Sequence, residues 1–198
     1  MIMCGRYYVD DLMIGRIEKS LSGIDNRLNG KTFSGDIYPT NTAPVISASS
    51  DHLQLEETRW GYTGMNKKGV IINARSETVQ EKRMFRAGIE RGRIAIPAVH
   101  FYEWNPQKTK YTFSREDKAL LFLAGIADVF EPERRVVILT TQANASMERV
   151  HDRMPLILEP DQVRDWLLDD KVTDSILEQT PVMLDKYTEY EQLTFFDL

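Results

Sequence analysis

Cysteine is almost missing from this chain: Cys4 is the only one among 198 residues. No internal disulfide can form, so the fold presumes no oxidising compartment. Long hydrophobic runs are missing too. The longest, Ala119 to Ala127 and broken by Gly125, is far too short to span a bilayer. Met1 to Asp10 contain neither a basic n-region nor an apolar h-region. That argues against a signal peptide and against a lipoprotein role for Cys4. Basic excess is lacking as well, since 25 Lys and Arg stand against 30 Asp and Glu, a net charge of −5. Such a chain does not wrap nucleic acid with a broad basic face, and DNA contact requires a local arginine cluster. There is no internal repeat and no low-complexity segment. These absences predict a cytoplasmic protein with no membrane association.

What is present suits one hydrophobic core, with 42% hydrophobic and 28% charged residues. Val9 to Ile24 predicts an amphipathic helix with Asp10 as N-cap and Leu12, Ile14, Ile17 and Leu21 as its apolar stripe. A loop rich in Gly, Asn and Pro follows. Strands are expected at Pro44–Ser47, His52–Glu56, Val70–Asn73, Arg93–Pro97, Phe101–Trp104, Lys110–Ser114, Ala119–Ile126 and Arg135–Thr141. Thr78-Val79-Gln80-Glu81 has the form of a capping box opening a helix to about Ile89. Glu159-Pro160-Asp161 opens another through Leu168. The pattern predicts an α+β fold: a single domain over 1–198, with a largely antiparallel, barrel-like β core and peripheral helices.

Four short motifs carry candidate chemistry. The first is Cys4-Gly5-Arg6-Tyr7. Were Cys4 the first residue of a mature chain, its α-amine could condense with an aldehyde and its thiol could close on the imine as a thiazolidine. An internal cysteine cannot, because its nitrogen is an amide. At neutral pH a useful minority of both groups is reactive, the amine having a pKa of about 7.7–8.0 and the thiol about 8.5. Cys4 alone equally fits a small hydrophobe in an N-terminal strand. The second motif is Ile72-Asn73-Ala74-Arg75-Ser76-Glu77-Thr78, where Asn73 offers a carbonyl oxygen to an amine or simply a turn residue. The third, Phe101-Tyr102-Glu103-Trp104, sets a carboxylate among aromatics, which tends to raise its pKa; it also fits a strand-face carboxylate or an ion pair. The fourth is His151-Asp152-Arg153-Met154-Pro155. His151, with a pKa near 6.5, suits acid–base work, or a cap or surface position. Arginine forks suit phosphate, though scattered arginines are usually solvated.

In this order, together with Trp60-Gly61 and Tyr38-Pro39-Thr40-Asn41-Thr42-Ala43-Pro44, the motifs resemble the SOS-response-associated peptidase (SRAP) family from Cys4 to about Leu158. The resemblance implies the SRAP fold and an abasic-site sensor in single-stranded DNA. Its N-terminal cysteine captures the sugar aldehyde as a covalent thiazolidine crosslink after self-cleavage of the preceding residues. It implies Cys4, Asn73, Glu103 and His151 as catalytic residues and Arg6, Asn41, Trp60, Arg75 and Arg153 as DNA-binding residues, with Arg6, Arg75 and Arg153 converging on one groove. No cofactor or metal is implied, and a monomer is expected. The loop Tyr62–Lys68 lacks the Pro and second Trp that family members often carry. His100 stands where the family has something small, and either narrows the pocket or points away.

Residues 1–3 are expected to be removed, by translation starting at Met3 or by self-cleavage, since Ile2 is too large for methionine aminopeptidase. Two other readings stay open: a cysteine peptidase with Cys4 as nucleophile and His151 as base, and a non-catalytic single-stranded-DNA-binding module. Finally, Gln192-Leu193-Thr194-Phe195-Phe196 resembles the short motif by which bacterial repair proteins dock on the replicative sliding clamp, in a tail expected from about 187 to 198. The alternative is a terminal strand packed on the domain.

Overall fold

β-branched and aliphatic residues gather in the middle of the chain, in runs such as Val136-Val137-Ile138-Leu139, and there the strands are longest. The computed structural model describes residues 4–64 and 69–189. In chain order the first half forms β1 (Tyr7–Val9), α1 (Met13–Ser20), β2 (Asp25–Asn26), β3 (Gly35–Ile37), β4 (Thr42–Ser49), β5 (His52–Trp60), β6 (Tyr62–Thr63), β7 (Val70–Ile71), β8 (Asn73–Arg75), α2 (Arg83–Arg91) and β9 (Arg93–Ala98). The second half adds β10 (His100–Trp104), β11 (Lys110–Ser114), β12 (Leu121–Phe130), β13 (Glu133–Gln142), β14 (Arg153–Pro155), β15 (Ile157–Leu158), α3 (Gln162–Leu168), α4 (Thr173–Glu178) and β16 (Asp185–Tyr187).

Strands β5, β4, β9, β12 and β13 form a closed barrel. Neighbours in that order pair antiparallel, and β13 returns to β5 in parallel, Arg135 opposite Arg59 and Val136 opposite Trp60. Closure leaves no open edge in the ring. Ile46, Leu55, Ile94, Leu123, Val137 and Leu139 are fully buried in the core. Trp166 of α3 is buried too, and its indole N–H donates to the Ile94 carbonyl at 2.9 Å, fixing that helix to the barrel.

β13 uses both of its edges. Arg135 pairs with β12 and β5 at once, and Thr140 with β14 and β8. One edge therefore carries β12 then β14, and the other β5 then β8. An antiparallel second sheet runs β16-β11-β10-β1-β3.

The α+β barrel architecture matches the expectation, with differences at element ends. Val9 pairs with Gly35 in β1, so α1 begins only at Met13. Asp10 caps nothing; its carboxylate faces Arg16 at 3.4 Å. The buried stripe is Met13, Ile17 and Leu21, while Leu12 is 69% exposed. The Thr78 box does not form. Ser76–Thr78 is a 3₁₀ turn, the Thr78 carbonyl accepts from the N–H groups of Glu81 and Lys82, and α2 starts at Arg83. Before α3 the Gln162 side chain accepts the Glu159 N–H at 2.9 Å and the Gln162 N–H donates to the Glu159 carbonyl at 3.0 Å, with no side-chain acceptor completing a capping box. Tyr187 pairs with Thr112, and the Thr188 hydroxyl donates to the Lys110 carbonyl. The chain is therefore still bound to the sheet where the tail was expected to begin. Residues 1–3, the non-Gly part of the loop after Gly64 and the Gln192–Phe196 motif lie outside the described residues.

Candidate active site

In β10 side chains alternate, so Phe101 and Glu103 face inward while His100 and Tyr102 face out. Phe101 stacks on Phe113, and Glu103 is only 2% exposed. A buried carboxylate needs donors. It has two: the backbone N–H of Cys4 donates to Oε2 at 2.7 Å and that of Trp104 to Oε1 at 3.0 Å. Burial pushes the Glu103 carboxyl up, only partly offset by these two N–H groups and by His151. Cys4 is fully buried, with a left-handed backbone at φ 47°. Burial first, and the Glu103 carboxylate second, push its thiol well above the ordinary range. Enclosed this way, the Cys4 thiol holds its proton more firmly than a free cysteine does.

Beside this pair opens a cavity of about 700 Å³, walled by β7 and β8, Pro106, Thr140 and the segment Glu148–Arg153. Asn73, Arg75, His151 and Arg153 all line it. Neither Cys4 nor Glu103 is among its lining residues, though His151 of the lining acts electrostatically on the Glu103 carboxylate. Gly5 backs onto Ile72, where an added Cβ would sit 4.0 Å from Ile72 Cδ1. Asn73 and Arg75 are set by the parallel pairing of β8 with β13, Asn73 opposite Ile138 and Arg75 opposite Thr140.

The His151 ring is held at Nδ1, which accepts the Arg153 N–H at 3.0 Å and lies 2.9 Å from Asp152 Oδ1. One nitrogen cannot serve both. A neutral ring accepts from Arg153 and carries its proton on Nε2, whereas a protonated ring donates to Asp152. The bare-Nδ1 form makes His151 a donor at Nε2.

Arg153 makes a two-armed pair with Glu77, Nη1 to Oε1 and Nη2 to Oε2, the latter at 2.8 Å. Nη2 also donates to the Thr140 carbonyl at 2.6 Å. Arg75 is exposed. Arg149, which the motifs do not include, lines the same cavity two residues before His151. Its closeness in sequence to His151 was the available signal.

Three residues expected to bind DNA, Arg6, Trp60 and Asn41, are not among the residues lining this cavity. Arg6 is not among the cavity residues. It pairs with Asp36 and sits between the rings of Tyr38, at 5.1 Å, and Tyr102, at 4.6 Å, with Lys110 over Tyr102 at 5.4 Å. The strand alternation that buries Glu103 sends this group to the outer face. Trp60 is 1% exposed, beneath the cavity wall, and donates its indole N–H to the Ile72 carbonyl at 3.0 Å. Asn41 is exposed in a turn, its side-chain oxygen accepting the Tyr38 N–H at 2.9 Å. In that turn Thr40 holds φ 74°, uncommon for a β-branched residue. His100 points outward, stacked on Tyr8 at 4.8 Å and 2.9 Å from the Tyr102 hydroxyl.

Among the described residues no helix is long and apolar enough to cross a membrane, and no cluster of His, Cys, Asp and Glu is arranged to hold a metal ion. Two solved structures share the fold. A protein from Bacteroides thetaiotaomicron superposes with a TM-score of 0.79 at 20% identity, covering 95% of this chain and 93% of that one. Another, from Bordetella bronchiseptica, gives 0.78 at 23%, covering 93% and 99%. In sequence the chain is 32% identical over 179 residues to the abasic site processing protein YMR114C of Saccharomyces cerevisiae, covering 83% of this chain and 48% of that protein. It is 31% identical over 140 residues to the abasic site processing protein YedK of Escherichia coli, covering 67% and 63%. With YoqW of Bacillus subtilis, of the same description, identity is 34% over 186 residues, covering 83% and 80%. The chain thus spans between about half and two thirds of the first two relatives. Residues 3–196 match the family described as SOS response associated peptidase (SRAP), and the chain belongs to that family.

Proposed function

We propose that this protein captures abasic sites in single-stranded DNA by forming a thiazolidine on Cys4. One observation carries the reading: the buried carboxylate of Glu103 grips the nitrogen of the cysteine, 2.7 Å away, and not its sulfur. A cysteine peptidase needs a base that lowers its thiol, whereas here burial and Glu103 raise it. Aldehyde capture needs acid–base service at nitrogen.

The chemistry starts when the Met3–Cys4 amide is hydrolysed, consuming one water and leaving an α-amine on Cys4. Glu103, with its raised affinity for a proton, supplies the proton that the departing nitrogen requires. Left-handed φ at Cys4 costs about 1 kcal/mol, which cutting the bond relieves. In its protonated form, with Nδ1–H on Asp152, His151 gives its Nε2 proton to the ring oxygen while water takes the proton of the anomeric hydroxyl. The C–O ring bond breaks, the aldehyde forms and the neutral imidazole regains its proton from solvent. The amine adds and water leaves, giving an imine. The thiol adds to the imine carbon as its proton passes to the nitrogen, closing the ring. Net, capture releases one water. Arg75, Arg149 and Arg153 hold the flanking phosphates, and Asn73 lines the path to the nitrogen.

The test is incubation with an oligonucleotide carrying an aldehyde-bearing abasic site, followed by a denaturing gel and intact mass. The expected adduct equals the chain from Cys4 plus the oligonucleotide minus one water, survives heating, and is lost in Cys4→Ala. A reducible imine in that variant is compatible with the reading. An equally heat-stable adduct from Cys4→Ala, or one retaining the residues before Cys4, overturns it.

A further inference from the structure

Arg153 is the cavity cation that already has an anion. Its guanidinium is matched fork to fork by the Glu77 carboxylate, and Nη2 is additionally fixed by the Thr140 carbonyl at 2.6 Å and hydroxyl at 3.2 Å. The same two-armed geometry is the one a phosphodiester oxygen pair adopts on arginine. The partners differ in exposure: the Arg153 side chain is 14% exposed, while Glu77 is 46% exposed. Arg153 is thus held from behind by Thr140, while Glu77 stands at the surface, held by Arg153 and by its own backbone N–H.

Rotation needs somewhere to go, and the structure provides it. Glu77 also lines a second cavity of about 660 Å³, bounded by the Ser76–Thr78 turn, the end of β13 and α4. No Lys, Arg or His lines that cavity, whose other carboxylates are Glu178 and Asp174, the latter accepting from the Gln80 side chain at 2.8 Å. Glu77 therefore stands between a cavity lined by Arg75, Arg149 and Arg153, with Glu148 and Asp152, and one whose charged residues are all acidic.

We infer that Glu77 is a resident anion on Arg153, a placeholder that a DNA phosphate displaces, and that it sets how strongly single-stranded DNA must compete to enter the site. This rests on the reading that the cavity holds DNA phosphates. The like charge behind Glu77 makes displacement uphill, so weakly held or misplaced strands leave Arg153 latched. A strand whose phosphates also reach Arg75 and Arg149 opens it.

The test uses an oligonucleotide with a tetrahydrofuran abasic analogue, which has no aldehyde and so separates binding from capture. Glu77→Gln is expected to bind about three- to fivefold more tightly, since an exposed ion pair contributes at most about 1 kcal/mol. Its salt dependence should steepen by about one phosphate contact, roughly 0.7 in the log–log slope. In a Glu77→Gln/Arg153→Ala double variant the gain over Arg153→Ala alone should vanish. Glu77→Asp, which keeps the charge but shortens the reach, should fall between wild type and Glu77→Gln, and it serves where Glu77→Gln fails to fold. Unchanged or weaker binding with an unchanged slope makes Glu77 a structural strut and overturns the inference. If wild type forms no adduct with aldehyde DNA yet the Glu77 variants still tighten binding, the placeholder stands and the capture reading falls. If neither protein binds the oligonucleotide, both fall.

Discussion

Arg6 and Arg75 differ in what surrounds them, and the difference decides what each substitution does. Burial alone would raise the Asp36 carboxyl, but the Arg6 guanidinium and the Tyr102 hydroxyl outweigh it and hold it low. Arg6→Ala strips a partly buried carboxylate of its main partner and empties the space between two rings. It should cost about 1–3 kcal/mol, a fall in Tm of several degrees by thermal melting. Arg75, exposed at the cavity rim, should lose DNA affinity on change to Ala with Tm almost unmoved. A Tm loss for Arg75→Ala and none for Arg6→Ala would reverse these assignments. His100 yields a pH prediction. Its pKa is lowered, by burial foremost and by Arg6 and Lys110, against the opposing pull of Asp36 and Asp10. The folded state therefore prefers the neutral ring. Its contribution is fully present above about pH 6.5, the unfolded value, and is lost as pH falls through the lower folded value. Between pH 7 and 5, Tm should fall more steeply in wild type than in His100→Gln; identical slopes would remove His100 from the account.

At the scale of elements, the cavity wall is a thin β7–β8 ribbon supported from below. Trp60→Phe keeps an aromatic ring but removes one of the two N–H donors to the Ile72 carbonyl, leaving that of Ile138 at 3.1 Å. Stability should drop by about 1–2 kcal/mol, and capture should slow more than that loss explains, because Ile72 precedes Asn73. Denaturant melts and single-turnover crosslinking check both. Gly61 turns the chain from β5 into β6 at φ 112°, and a Cβ there would lie 2.1 Å from Val70 Cγ1. Gly61→Ala should therefore cost about 2–4 kcal/mol. Strand positions were readable in the sequence because alternation and β-branching are local signals, as Lys110–Ser114 illustrates. Helix starts were not. Thr78 has the letters of a capping box, but its hydroxyl accepts no helix N–H, because the chain passes through the Ser76–Thr78 3₁₀ turn and α2 starts only at Arg83. Asp10 faces Arg16 rather than helix N–H groups. The site was half legible. Asn73, Arg75, His151 and Arg153 line one cavity, but nothing in Trp60-Gly61 distinguishes a ring that touches DNA from one that props the wall. Nor does the sequence reveal that Arg6 falls on the opposite face of β10 from Glu103.

For the molecule as a whole, a net charge of −5 coexists with a cavity rim carrying Arg75, Arg149 and Arg153. Binding should be local and salt-sensitive, with a slope reporting two or three phosphates instead of the larger number a basic face would give. Duplex DNA should compete poorly, because a paired, stacked abasic nucleotide must first be extruded. Equal affinity for duplex and single strand in a fluorescence titration would remove the strand preference. β13 gives the last consequence. The strand that presents Asn73 and Arg75 and the strand that begins with Arg153 hang on opposite edges of this one barrel stave, at Ile138–Thr140 and Thr140–Gln142. Neither can detach without exposing the stave itself. Native-state hydrogen exchange should therefore show β8, β14 and the centre of β13 opening together, at the free energy of global unfolding. A protein joined to DNA through Cys4 would then offer a protease no loosened active-site segment to cut, and clearing it from the strand would require unfolding the barrel first.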